Sequence, residues 1–318
     1  MLSKSDKAVK IRKGQSLKTD SLETYIRNAM ELPKAHMEVL QFPSGYSNLT
    51  YLLKFGKKEL VLRKPPQGVK IKSGHDMGRE FRILSGLHPI YNKVPQPFLF
   101  SDELSIIGTP FYIMERMHGV IFRGHTPKDQ LPDLNQMRKL SEAFVNTLVE
   151  IHSFNYNAAG LENLGKPDGY VKRQIEGWTK RYIKAKTDEF KPLEKVYTWL
   201  NKNIPPEKRS ALIHNDFKYD NLILSQDKSL NIKGILDWEM ATIGDPLMDL
   251  GTTLGYWIQE SDPDFLKKNS MNITLVKGNL TRSQLVENYA QKSNITMDNI
   301  LFYYVFGLFK IAAIIQQI

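Results

Sequence analysis

Cysteine is absent from the 318 residues. Its absence excludes disulfides, thiolate metal sites and cysteine nucleophiles, and it fits a reducing, cytoplasmic setting. Long apolar runs are scarce. The most apolar stretch, residues 301–315, is interrupted by Lys310. It falls short of the roughly 20 apolar residues that a membrane span needs. The opening MLSKSDKAVKIRKG is basic but lacks the apolar run of a secretory signal, so no membrane partner is expected. Acidic residues are outnumbered, with Asp+Glu at 34 against Lys+Arg at 44, for a net charge of +10. The cations are spread along the chain and densest over residues 4–18. No nucleic-acid-binding motif accompanies them, so no nucleic-acid partner is expected. Internal repeats and low-complexity tracts are also missing.

What is present is an ordinary globular composition, 41% hydrophobic and 25% charged. The length allows two lobes and a sizeable core. A loose basic arm over residues 1–19 leads to a predicted helix, capped by Asp20 or Ser21 and running to about residue 32. Strand patterning over 39–42, 50–55 and 60–63, with turns at 43–48 and 56–58, predicts an antiparallel meander. A helix is predicted over 78–87, and short strands over 98–100, 105–107 and 110–115. Beyond Gly119 the texture turns helical: 132–154, 169–186, 193–201, 282–292 and 297 to the end, around a strand-and-loop block at 212–249. The expected fold class is therefore α+β: an antiparallel-sheet N-terminal lobe over 1–115 and a mostly helical C-terminal lobe over 116–318. The final apolar helix runs out of sequence without a polar tail, which fits a longer natural protein.

Chemistry concentrates in His214-Asn215-Asp216-Phe217-Lys218-Tyr219-Asp220-Asn221, between the apolar runs 211–213 and 222–223. Phosphoryl transfer to a hydroxyl needs a carboxylate beside the nucleophile and an oxygen ligand for magnesium. The kinase loop H-R-D-x-x-x-x-N supplies both at this spacing. Segments 222–224 and 232–236 are expected to pair as a hairpin and return Asp237 toward Asn221, where hard oxygen ligands suit magnesium. One H-x-D-x-x-x-x-N is weak on its own. Followed by Leu236-Asp237-Trp238 and by Gly244-Asp245-Pro246-Leu247-Met248-Asp249-Leu250, it is a specific pattern.

Over 212–250 the sequence resembles the aminoglycoside phosphotransferase and choline kinase superfamily, whose fold is protein-kinase-like. With the N-terminal features, the resemblance covers most of the chain. It implies an ATP- and Mg2+-dependent phosphotransferase with a small-molecule hydroxyl acceptor. It implies Asp216 as base and Asn221 and Asp237 as metal ligands. Lys218 is a candidate to steady the γ-phosphate. His214, Asp245 and Asp249 are expected to support the loop. Nucleotide grip is expected from Ser44, Tyr46, Ser47 and Asn48, in a turn whose N–H groups and hydroxyls can cover phosphates. Arg63 is the expected strand cation, paired with Glu80, and Lys64 is the alternative register. Adenine is expected against the backbones of Glu115 and Met117.

The run 169–178, with 47–51, 62–66 and 107–112, resembles one branch: the kinase-like domains fused to some acyl-CoA dehydrogenases. That branch implies a hydroxy acid or hydroxyacyl thioester as acceptor. Arg173 is the candidate anchor for an anionic group, Trp178 and Tyr182 for an apolar wall, and Glu239 for a further acceptor contact. An aminoglycoside or other amino-alcohol kinase and a catalytically silent nucleotide-binding module are the alternatives. Polycationic aminoglycosides favour acidic pockets, which the net charge of +10 opposes. A monomer or homodimer is expected.

Overall fold

Apolar residues at every second position build the first sheet. In a computed structural model that describes residues 7–43, 48–66, 76–207 and 209–317, the chain divides into two units. The first comprises Met1–Ile121, Ile223–Gln226 and Lys233–Met240; the second comprises Phe122–Leu222, Asp227–Ile232 and Ala241–Ile318. Ser44, Tyr46 and Ser47 lie outside the described residues.

The first unit contains α1 (Thr19–Ala29), β1 (Met37–Gln41), β2 (Leu49–Phe55), β3 (Lys58–Lys64), α2 (Met77–Leu87), β4 (Pro97–Ser101), α3 (Leu104–Ile107) and β5 (Phe111–Glu115). The strands form one antiparallel sheet in the order β1-β2-β3-β5-β4. The two-residue turn Gly56-Lys57 joins β2 to β3, with Gly56 at φ +61 where a tight hairpin needs a left-handed residue. Tyr51, Leu53 and Phe55 of β2, Leu60 and Leu62 of β3, and Phe111 and Ile113 of β5 close on Leu22 and Ile26 of α1. Two expectations fail here. The first helix begins at Thr19, so Ser21 is already in its first turn, donating to the carbonyls of Lys18 and Ile106. Residues 105–107 are not a strand: they belong to the one-turn α3, closed by Gly108 at φ +82. A short apolar run carries no period that separates the two forms.

Then come α4 (Leu134–His152), α5 (Tyr170–Ala185), α6 (Lys191–Lys202), β6 (Ala211–Ile213), β7 (Leu222–Leu224), β8 (Ile232–Ile235), β9 (Thr242–Gly244), α7 (Pro246–Tyr256), α8 (Asp264–Lys268), α9 (Arg282–Ser293) and α10 (Ile300–Gln317). β7 and β8 pair as the expected hairpin, and β6 pairs antiparallel with β9. α7 corrects the reading of 212–249 as strand and loop. Asp245 accepts the Leu247 N–H at 2.8 Å as its cap, and Pro246 fills the first turn, a start signal present in the sequence. By length and composition α10 is apolar enough to cross a membrane, more than the interrupted stretch led us to expect. Its buried face, including Phe302, Phe306, Phe309 and Lys310, packs on α7, α5 and α6.

Candidate active site

In the first unit, β3 alternation sends Leu60 and Leu62 into the core and Arg63 to the other face. Arg63 Nη1 donates to Glu80 Oε1 at 2.6 Å, and Nη2 donates to Asp237 Oδ1 at 2.9 Å and Glu239 Oε2 at 3.4 Å. The ion pair with Glu80 therefore belongs to Arg63 rather than Lys64. Lys64 is buried, and burial lowers its pKa. Asn48 Nδ2 donates to Glu239, and Glu80 Oε1 accepts the Trp238 N–H at 3.2 Å. Burial works against the Arg63 charge, but Glu80, Asp237 and Glu239 outweigh it and hold the guanidinium firmly protonated. Burial pushes the Glu80 carboxyl up, with Arg63 pulling it back. Asp237 adopts φ +68, an uncommon conformation for a residue with a side chain. One guanidinium thus meets three carboxylates. These are hard oxygen donors, the type magnesium takes, but among the described residues no group of three or more His, Asp or Glu side chains converges as a metal site.

At the end of β5 the Glu115 N–H donates to the Gln96 carbonyl at 2.8 Å, and its carboxylate accepts the Gln96 N–H at 3.2 Å. Of the two backbones expected to meet adenine, the Glu115 N–H is therefore engaged. Met117 makes no hydrogen bond among the described residues. Its side chain lies against Gly234, where a Cβ would come within 2.7 Å of the sulfur.

In the second unit the loop after β6 is held by its backbone. Asp249 Oδ2 accepts the N–H of fully buried His214 at 2.7 Å, and Oδ1 accepts that of Asn215 at 2.8 Å. The His152 ring bridges Asp249, at 3.1 Å, and the Tyr289 hydroxyl, at 2.7 Å. Burial raises the Asp249 pKa, but the His152 hydrogen bond and the nearby histidines outweigh it and leave the carboxyl below its ordinary value. His214 Nδ1 accepts the Asp216 N–H at 3.3 Å, a scaffolding contact. Phe217 and Tyr219 insert into the helical core, with ring centroids 4.5 Å and 4.9 Å from Phe144. Each such burial stabilises by about 1.5–3 kcal/mol.

This anchoring sets the Asp216 carboxylate among Asn221, Lys218 and the Tyr256 hydroxyl. Asn221 Nδ2 bonds its Oδ2 at 3.0 Å and its main-chain carbonyl at 2.8 Å, and Lys218 Nζ stands 3.0 Å from Oδ2. Both of these Asn221 contacts are made by its amide nitrogen. Burial opposes the Lys218 charge, but Asp216 and Asp220 outweigh it and keep the ammonium protonated. Lys218 also lies 4.9 Å from the centroid of the Tyr256 ring. Thr253 of α7 donates to the Phe217 carbonyl at 3.0 Å. Tyr256 and Thr253 escaped the sequence reading because α7 did.

The candidate acceptor contacts have other partners. Arg173 donates to the main-chain carbonyls of Asp168 and Lys166 and ties down its own loop. Trp178 and Tyr182 are buried, Tyr182 against Phe309 and Trp178 beneath Arg181. Glu239 belongs to the Arg63 cluster.

Residues 38–270 match a family described as the phosphotransferase enzyme family. Acyl-CoA dehydrogenase family member 10 of Mus musculus is 35% identical over 97% of this chain, which spans only 29% of that protein. Across seven curated relatives the chain spans 29% to 40% of their length. Among solved structures, a Ralstonia eutropha protein provisionally called an aminoglycoside phosphotransferase matches with a TM-score of 0.77 and 28% identity, over 95% of this chain and 88% of that one. Choline kinase from Cryptosporidium parvum matches with a TM-score of 0.62 and 16% identity, over 93% of this chain and 88% of that one, a likeness of the kinase-like fold alone.

Proposed function

The chain belongs to the phosphotransferase enzyme family, and from that premise we propose that it moves the γ-phosphate of ATP to a hydroxyl of a small molecule. Asp216 takes the hydroxyl proton as that oxygen bonds to the γ-phosphorus, and the bond to the leaving ADP oxygen breaks. Arg63, fixed by Glu80, meets the nucleotide phosphates, and Lys218 balances the charge beside the base. Asn221 and Asp237 would each offer magnesium an oxygen ligand, and the metal would supply neutralisation of charge on the phosphates.

The observation that carries this reading is the Asp216 carboxylate itself. It is bonded to Asn221 and Lys218 on a loop whose backbone Asp249 clamps. The acceptor we propose is a hydroxy acid or hydroxyacyl thioester. The excess of 44 Lys+Arg over 34 Asp+Glu favours an anionic acceptor over a polycationic one, and the branch resemblance points the same way.

Calorimetric titration with ATP, with and without magnesium, tests the nucleotide site. Magnesium should tighten binding to the native chain, and Asp237→Ala should lose that gain. Affinity indifferent to magnesium in the native chain contradicts the reading.

A further inference from the structure

Lys310 is the single charge in the apolar stretch 301–315. It is 2% exposed and has no carboxylate partner among the described residues. A buried ammonium with no carboxylate in direct contact is costly, so its hydrogen bond is informative. Nζ donates to the Asn215 carbonyl at 2.6 Å, and it lies 5.8 Å from the centroid of the Trp178 ring. Asn215 immediately precedes the proposed base and adopts φ +66, a left-handed conformation that asparagine takes more readily than most residues with a side chain. Its backbone is clamped twice: Asp249 of α7 accepts its N–H, and Lys310 of α10 donates to its carbonyl.

The two clamps are delivered by one helix crossing. A Cβ on Gly251 of α7 would stand 2.1 Å from the Tyr303 carbonyl oxygen, and one on Gly307 of α10 would stand 2.0 Å from that of Gly251. Only glycines allow this approach. Asp249 is two residues from Gly251, and Lys310 is three from Gly307.

We propose that Lys310 is a positioning residue for the base: its bond to the Asn215 carbonyl holds the loop conformation that directs Asp216 toward Asn221 and Lys218. The proposal rests on the phosphotransfer reading above. Burial brings the Lys310 pKa down to about 8; Asp216 of the loop and Asp249 of α7 raise it, and Lys218 of the loop and Arg181 of α5 lower it. Above that pH the ammonium loses its proton. The bond to Asn215 then becomes a weaker neutral one, because charge-assisted bonds are roughly twice as strong.

Native chain, Lys310→Met and Lys310→Arg are compared by hydrogen–deuterium exchange, thermal unfolding and MgATP hydrolysis with water as acceptor. Lys310→Met should exchange about tenfold faster in the peptide covering residues 212–221, with the rest of the chain unchanged and a thermal midpoint close to native. Its turnover should fall about tenfold, with KM for ATP unchanged. Native turnover should decline above about pH 8. Lys310→Arg should shift that decline upward, because a guanidinium keeps its proton. Native-like exchange in the loop of Lys310→Met overturns the proposal. So does faster exchange spread over the whole chain with a lowered midpoint, which marks a general stabiliser. A native chain that hydrolyses no ATP counts against the phosphotransfer reading, while loop exchange still decides the fate of Lys310.

Discussion

Asp216 shares its carboxylate with an amide and an ammonium, so its replacement separates geometry from proton transfer. Asp216→Asn keeps a side chain of the same shape between Asn221 and Lys218. Nucleotide affinity should stay near native while turnover falls roughly 100-fold or more, as for other positioned bases. Titration calorimetry and steady-state kinetics check the two halves. Arg63 poses the opposite case, because Glu80, Asp237 and Glu239 all depend on it. Arg63→Met should cost about 3–5 kcal/mol of stability by removing the cation that balances buried Glu80, read from urea denaturation.

Asp249 adds a pH dependence. Its folded pKa is depressed, so its contribution to stability is present above the unfolded value of about 3.9 and is lost as pH falls through the lower folded value. The native chain should therefore lose more stability than Asp249→Asn as pH drops below about 4, measured as the difference between their thermal midpoints. These roles were unevenly legible. The spacing of Asp216 and Asn221 is local, so the sequence displays it. The Lys310 bond joins residues 95 positions apart, and only the oddity of one charge in an apolar run hinted at it.

Elements show the same contrast. Regular alternation over β1 to β3 made the meander readable, and capped amphipathic runs made α2, α4 and α9 readable. α7 is harder to read, because Gly244-Asp245-Pro246 fits both a loop motif and a capped helix start. Two glycines on helices test how far packing decides. Gly177 of α5 has nothing within 4 Å of an added Cβ, so Gly177→Ala should stabilise by about 0.5–1 kcal/mol. Gly307→Ala drives a Cβ into the Gly251 carbonyl and should destabilise by about 1–3 kcal/mol or more. Urea midpoints of the two variants should move in opposite directions.

For the whole molecule, the α+β class and the family were within reach of the sequence, and the acceptor was not. Arg173 turned out to tie down its own loop, and Glu239 joined the Arg63 cluster; neither partner is visible in local spacing. The proposal of phosphotransfer by the 214–221 loop stands apart from the acceptor's identity. The most direct measurement is therefore transfer of γ-labelled phosphate from MgATP to a panel of hydroxy acids, hydroxyacyl thioesters, amino-alcohols and sugars, run with native chain and Asp216→Asn. Label should move to a hydroxyl acceptor with the native chain and drop roughly 100-fold with the variant. Label that reaches no acceptor, or that moves equally well without the Asp216 carboxylate, contradicts phosphotransfer by this loop.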